Sequence, residues 1–471
     1  MRRYPIKHVD HATNLPSLPY VFPNGQGNTE KFLRGRANTV KWGKEYGGLY
    51  RLWSGISGEV DRLTRVLTKP AHVETVFRDS HKHTKAHAND SGYLMDCLLG
   101  SCLGLISGQP WKAVKSGVGA AFLHRSMDQY ATDVQDFTGA YMRRLAKDND
   151  AFGQQGKLHP VRDLKLLPFL FVAKVVYGPL SEDLERELIE LIPPREALFK
   201  NIINGGITRF AFSRLLPLPA IEALRDFKDF WARWNDRAYT HAIKGPEANA
   251  APVIKMYEAV KNREMTREQL LQTLDEILFA NIDVTMGGLS WTLVFLAAHP
   301  PVQIILRSEV REQASDIATR RTRLRPLTAF SVPQSCPSPR ILDSFEIPAG
   351  TRFIIDSYAL NIRDPFWGED RDKFRPERWL ELERGGRDLR YRYWRFGFGP
   401  RTCLGKYLAE LILRSVIIEI LENWQISLEL ATGQRENGGE NNGMNWPWDD
   451  ELWIHSPNLL LICEPLVRVS V

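Results

Sequence analysis

Cys403 lies in the run FGFGPRTCLG, residues 396–405, among glycines, phenylalanines, a proline and an arginine. A thiol in that company is suited to holding a soft metal through one thiolate. Gly399 and Gly405 allow backbone to approach a bulky group or to take a positive φ. Pro400 stiffens the loop, and Phe396 can shield the sulfur from water. Arg401 puts a cation beside the thiol, or beside the anionic edge of something flat. The helical run LGKYLAELILRSVIIEIL follows at once. Cys403 therefore stands at a helix start, where the dipole and free N–H groups favour a thiolate. Taken alone, the same run also fits a structural cysteine buried in a glycine-rich turn.

A second stretch with chemical potential is ANIDVT, residues 280–285. Asp283 sits in an otherwise apolar helix, where a buried carboxylate is expensive. Proton delivery is one reason for such a residue, and a salt bridge to a neighbouring helix is another.

Both stretches need elements to position them. The spacing of apolar residues predicts helices over 111–125, 128–147, 161–176, 181–192, 219–240 and 252–262. TREQ offers a capping box, with Thr266 as cap and Gln269 three positions on. The helix it opens carries Asp283 and runs to about Ala298, ending before HPP. A last long helix covers about 404–424. GGLYRLWSG and the following VDRLTRVLTKPAHVETVF read as a small hairpin and then a helix, and 340–356 alternates like strands. Residues 1–50, rich in proline and glycine, are expected to run over the surface. The expectation is a mainly α fold with a minor β part drawn from both ends of the chain.

Composition narrows the function. With 43% hydrophobic and 25% charged residues the chain is ordinary globular protein. No linker or repeat divides it, so we expect an N-terminal surface segment over 1–30 and a single catalytic domain over 31–471. A net charge of +6, without a basic-aromatic module, gives no reason to expect nucleic acid as a partner. The five scattered cysteines form no CxxC pair, which argues against a zinc or iron–sulfur cluster site and for a reducing compartment. No apolar run reaches the roughly 18 residues of a membrane-spanning helix. The longest, residues 166–180, holds Lys174, and the N-terminus has no apolar signal-peptide core.

Here the sequence resembles a known family. F-x-x-G-x-R-x-C-x-G is the haem-binding signature of the cytochrome P-450 monooxygenases, and Phe396, Gly399, Arg401, Cys403 and Gly405 fill all five fixed positions. FRPERWL, residues 374–380, resembles the family's P-E-R-F/W segment. LGLISGQPWKAVK, residues 103–115, resembles the helix that begins W-x-x-x-R. HPPVQ and LRPLTAF follow in family order, so the resemblance covers about residues 30–465. It implies a triangular helical prism around haem b, with Cys403 as axial thiolate to the iron. Arg401, Trp111 and Lys115 would contact the propionates, Lys115 standing where the family usually has arginine. Electrons would come from a separate NADPH-dependent reductase, steered by the basic run Arg387, Arg390, Arg392, Arg395, Arg401 and Lys406. The family resemblance also implies association with the endoplasmic reticulum membrane surface. No anchor is expected in this chain, and without one the protein would be cytoplasmic.

The departures from the family pattern carry information. Ala280, Asp283 and Thr285 match the distal-helix pattern A/G-G-x-D/E-T-T/S, but Asn281 replaces its glycine and Val284 its first threonine. Thr285 lies about 100° further round an ideal helix, and reaches the same face only where the helix is distorted. The E-x-x-R pair has Arg320 in place of glutamate, leaving Arg320, Arg323 and Arg378 without their carboxylate. The short connection leads us to expect a missing segment between about 312 and 322. The pocket is expected from the 85–105 loop, the long helix, Leu327 to Val332 and residues 442–453. Three functions follow: oxidative tailoring of a lipophilic or aromatic fungal metabolite, such as a cyclic-dipeptide alkaloid or mycotoxin; coupling, cyclisation or rearrangement without oxygen insertion; or a truncated product unable to hold haem.

Overall fold

The computed structural model describes residues 6, 8–10, 13–21, 25–53, 63–148, 152, 156–245, 251–311, 327–371, 373–384, 389–429, 454, 456 and 458–466. Its axis is the long helix that Thr266 caps. The Thr266 hydroxyl accepts from the Gln269 N–H while the Gln269 side chain accepts from the Thr266 N–H, completing the capping box. The helix runs as Arg267–Ala280, widens into a π turn over Asn281–Thr285, and continues as Met286–Ala298. Every residue from Met286 to Ala297 is buried. Arg267–Ala298 is in fact long and apolar enough to cross a membrane, against the sequence expectation, yet 72% of its apolar window is buried inside the protein. An apolar helix wrapped by other helices meets the same test as one wrapped by lipid.

Leu166–Tyr177 packs on the π turn, and Lys406–Asn423 lies along Met127–Asp148. The shared core includes Phe169, Phe279, Trp231 and Ile412. Some helices escaped the sequence reading. Tyr93–Leu99 is short, and Ile192–Asn204 opens on Pro193 and Pro194. Prolines break a helix interior but are tolerated in the first turn, where no intrahelical N–H donor is needed.

The β part joins the two ends of the chain, as expected. One sheet orders Leu49–Trp53, Leu63–Leu67, Arg352–Ile355, Gln334–Ser335 and Thr84–Lys85. Leu49–Trp53 and Leu63–Leu67 form the anticipated hairpin, and the second pairs in parallel with Arg352–Ile355, Val66 opposite Ile354. A smaller sheet places Leu461–Pro465 between Gly156–Leu158 and Trp424–Leu428. The first fifty residues do more than run over the surface. Gly35–Tyr46 is a helix, and Ile6, Leu15, Leu18 and Trp42 are buried in cores beside the larger sheet. Proline and glycine content signalled loops there, but scattered apolar side chains were enough to anchor them.

Candidate active site

A cavity of about 560 Å³ separates the long helix from the 396–405 loop. That size suits a small-molecule site. Residues from the predicted 85–105 region and from Leu327 to Val332 line it, among them Met95, Leu103 and Phe330. Phe199, Ile202 and Ile203 enter from the unpredicted Ile192–Asn204 helix, and Val172 from Leu166–Tyr177. Residues 442–453, also expected here, lie outside the described residues.

The loop is closed by the Cys403 N–H, which donates to the Phe396 carbonyl at 2.7 Å. Gly399 takes φ +63°, and a Cβ there would lie 2.7 Å from the Ser80 Oγ, so both conformation and space demand glycine. Phe396 and Gly405 line the cavity as well. Of the five cysteines Cys403 alone lines the cavity, and its exposure is toward that cavity. Cys102, Cys336 and Cys463 are buried elsewhere. One expectation needs correction: burial pushes the Cys403 thiol up, outweighing the hydrogen bond from the Gly405 N–H. The helix proper starts only at Lys406, so its dipole does not overcome desolvation.

Positive charge gathers at one end of the cavity. Arg401 donates to the Ile106 carbonyl at 2.8 Å and stacks 4.6 Å over the Trp111 ring. Burial lowers its pKa to about 10. Lys115 also lies over Trp111, at 4.8 Å, and donates to the Pro400 carbonyl at 3.0 Å. Lys85, which the sequence did not single out, lines the same end, and burial followed by repulsion from Arg401 lowers it to about 7. Against these cations stands Glu276, which accepts from the Gly104 N–H at 2.9 Å and is itself raised by burial. Glu276 lies one helical turn before Ala280, a spacing that could have flagged it; nothing local flagged Lys85. Three cations facing one carboxylate, beside an open thiol and a glycine-rich loop, fit a flat, dianionic, metal-bearing cofactor.

Across the cavity, Ala280, Asn281, Val284 and Thr285 line the long helix. The π turn supplies the distortion needed for both Val284 and Thr285 to reach the cavity. Val284 is 41% exposed although it sits mid-helix, because it faces this space. The Thr285 hydroxyl donates to Asn281 Oδ1 at 2.7 Å, and the Asn281 amide donates to the Ile277 carbonyl. Asn281, read only as a departure from glycine, is thus the partner that orients Thr285. Asp283 does not line the cavity. Burial pushes it up to about 6, with Glu196 raising it further and Arg195 and Lys165 opposing.

The basic run is partly consumed. Arg401 turns inward, Arg395 pairs with Glu410 at 3.3 Å, and Arg392 lies 3.7 Å from Asp364. Arg387 lies outside the described residues, as do Arg320, Arg323 and the expected deletion over 312–322. Arg378 is buried and has found another carboxylate: it donates to Asp370 Oδ1 and to the Asp370 carbonyl, both at 2.8 Å. Its Nε is buried without a hydrogen-bond partner among the described residues.

Comparison with known proteins agrees with this geometry. The cytochrome P450 family model matches residues 16–319 and 322–443, its interruption falling at Arg320 and Arg321. The cytochrome P450 monooxygenase aclC of Aspergillus oryzae is 42% identical, spanning 98% of this chain and 94% of that protein. The cytochrome P450 monooxygenase gliC of Aspergillus fumigatus is 35% identical over 99% of this chain and 92% of its own. A zebrafish cytochrome P450 solved with abiraterone shares the fold, with a TM-score of 0.67 at 18% identity over 92% of this chain and 99% of that one. With the cysteine loop facing a distorted central helix across one cavity, the chain belongs to the cytochrome P450 family of haem-thiolate monooxygenases.

Proposed function

We propose that this enzyme oxidatively tailors a lipophilic or aromatic fungal secondary metabolite, with Cys403 as the thiolate ligand to haem b. The observation carrying the assignment is that Cys403 opens into the cavity opposite Thr285, whereas Cys336 does not line it. Haem held by a thiolate supplies oxygen activation, because thiolate donation favours O–O cleavage. Arg401, Trp111, Lys115 and Lys85 would hold the propionates, balancing a charge excess that Glu276 alone does not. Lysine at 115 keeps the charge without the bidentate fork of arginine. The Thr285 hydroxyl lines the cavity and donates its proton to Asn281 Oδ1; turning away from that acceptor would let it give the proton to the cavity. Asp283, half-titrated near pH 6, would store a proton behind the same turn. Phe32, Met95, Val172 and Phe199 exclude water, while Asn89 and Ser91 offer the polar contacts that would orient a substrate with amide groups, such as a cyclic dipeptide. Electrons would come from a separate NADPH-dependent reductase, for which Lys406 lies on the loop's flank.

A second reading, coupling or rearrangement without oxygen insertion, draws on Val284, whose apolar side chain occupies the position of the family's threonine. The test has two parts. The ferrous–carbon monoxide difference spectrum of the purified chain should show the red-shifted thiolate band, lost in Cys403→Ser and kept in Cys336→Ser. Loss in Cys336→Ser alone would overturn the ligand assignment. Products formed under labelled dioxygen should carry the label, and its absence would move the reaction to the second reading.

A further inference from the structure

Behind the cysteine loop lies a second group of metal-ligating side chains. Asp79, His83 and Cys336 come together from the end of the Pro70–Phe77 region and from the Gln334–Ser335 strand, with their ligand atoms all within 4.8 Å of one another. We infer that Asp79, His83 and Cys336 form a zinc site that braces the flank of the cysteine loop.

The chemistry of the donors points to this ion. Thiolate, imidazole and carboxylate are the three ligand types zinc takes, and structural sites are tetrahedral. Bonds of about 2.0–2.3 Å hold such ligand atoms roughly 3.3–3.7 Å apart. His83 Nε2 and Asp79 Oδ1 are already 3.6 Å apart, so closure on an ion needs about an ångström of contraction at the widest pair. The independent sign of a ligand is His83 itself. Its side chain is fully buried, and among the described residues neither ring nitrogen has a hydrogen-bond partner. An unpaired buried imidazole costs stability unless something fills the role of partner.

The surroundings allow the site to fill. Asp79 is partly exposed, so an ion can enter from the surface. Arg340 donates to both Asp79 oxygens at 2.7 Å and would orient that carboxylate from outside, as second partners do around zinc. Arg340 also repels a cation, as Lys85 does from further away. The Asp79 charge and a Cys336 thiolate would offset both. The Cys336 thiol now donates to the Ser338 carbonyl at 3.3 Å; on binding it releases that proton to solvent as the zinc–sulfur bond forms. Water would complete the fourth position. The loop is in direct reach: the Ser80–Lys82 turn, between Asp79 and His83, packs on Gly399–Arg401.

The test uses the full chain with haem bound, so that the haem ligand is already occupied. Chelator-stripped protein is titrated with zinc chloride alone by calorimetry, and the bound metal is examined by zinc X-ray absorption. We expect one zinc per chain, with a single sulfur at about 2.3 Å and nitrogen or oxygen neighbours at about 2.0–2.2 Å. His83→Gln and Cys336→Ser should each weaken zinc binding at least about tenfold, and Cys97→Ser should leave it unchanged. No zinc binding by the wild-type chain, a spectrum without sulfur, or binding unaffected by both variants would each overturn the assignment. If a variant fails to fold, the wild-type absorption spectrum decides alone.

Discussion

Replacing Asp283 with asparagine is expected to stabilise this protein at neutral pH and to leave it unchanged in acid. The carboxyl is half-buried in the π turn, and its pKa rises from 3.8 to about 6, chiefly through desolvation. Ionising it in the folded state is therefore penalised relative to the unfolded chain. Below about pH 3.8 both states are protonated and the group contributes nothing. Between about pH 4 and 6 the unfolded chain loses the proton first, so stability falls as pH rises; above about pH 6 the loss is complete. The shift corresponds to roughly 3 kcal/mol. Arg195 and Lys165 already offset part of the burial penalty, and that offset is contained in the shifted value. Asparagine keeps the shape and removes the charge. Denaturant unfolding of haem-loaded wild type and Asp283→Asn across pH 4–7.5 should give curves that converge near pH 4 and separate toward roughly 3 kcal/mol by pH 7. The comparison must be a difference between the two proteins, because Asp275, Glu276 and Asp356 are raised as well and tilt both curves alike. A variant that is equally or less stable at pH 7, or a pH-independent gap, would refute the reasoning and make Asp283 a net stabilising partner of its cationic neighbours.

Two further outcomes are expected. Gly399→Ala must hold a Cβ at φ +63° and 2.7 Å from Ser80 Oγ, costing about 1–2 kcal/mol from conformation alone; haem content and Tm should both fall, and retention of both would show that the loop relaxes freely. Thr285→Val removes the one hydroxyl of the π turn that lines the cavity; product formed per NADPH should drop at least about tenfold while the carbon monoxide band stays intact, and unchanged coupling would assign the proton supply elsewhere.

Much of the architecture was written in local pattern. The capping box at Thr266, the stop before Pro300 and the hairpin around residues 49–67 each depend on residues a few positions apart, and each formed where its chemistry placed it. The cysteine loop was equally legible, because a thiol, an arginine and positive-φ glycines at set spacing leave few other uses. Local pattern misled where context reversed its sign. Pro193 and Pro194 lie just past the helix expected over 181–192 and open another one, and Cys403 looked electrostatically favoured as a thiolate until burial was counted.

What sequence alone indicated, then, is most of the long elements and the candidate cysteine loop, since both arise from neighbours along the chain. Tertiary structure alone decided which charges share a space. Lys85 meets Arg401 and Glu276 at the cavity only because the Thr84–Lys85 strand pairs with Gln334–Ser335. Arg378 finds Asp370 in place of the glutamate its family pattern provides. Asp79 and His83 meet Cys336 across more than 250 positions of sequence. Desolvation and Coulomb interaction act through space, so the energies that set protonation, coordination and reactivity here exist only once the distant segments are packed together.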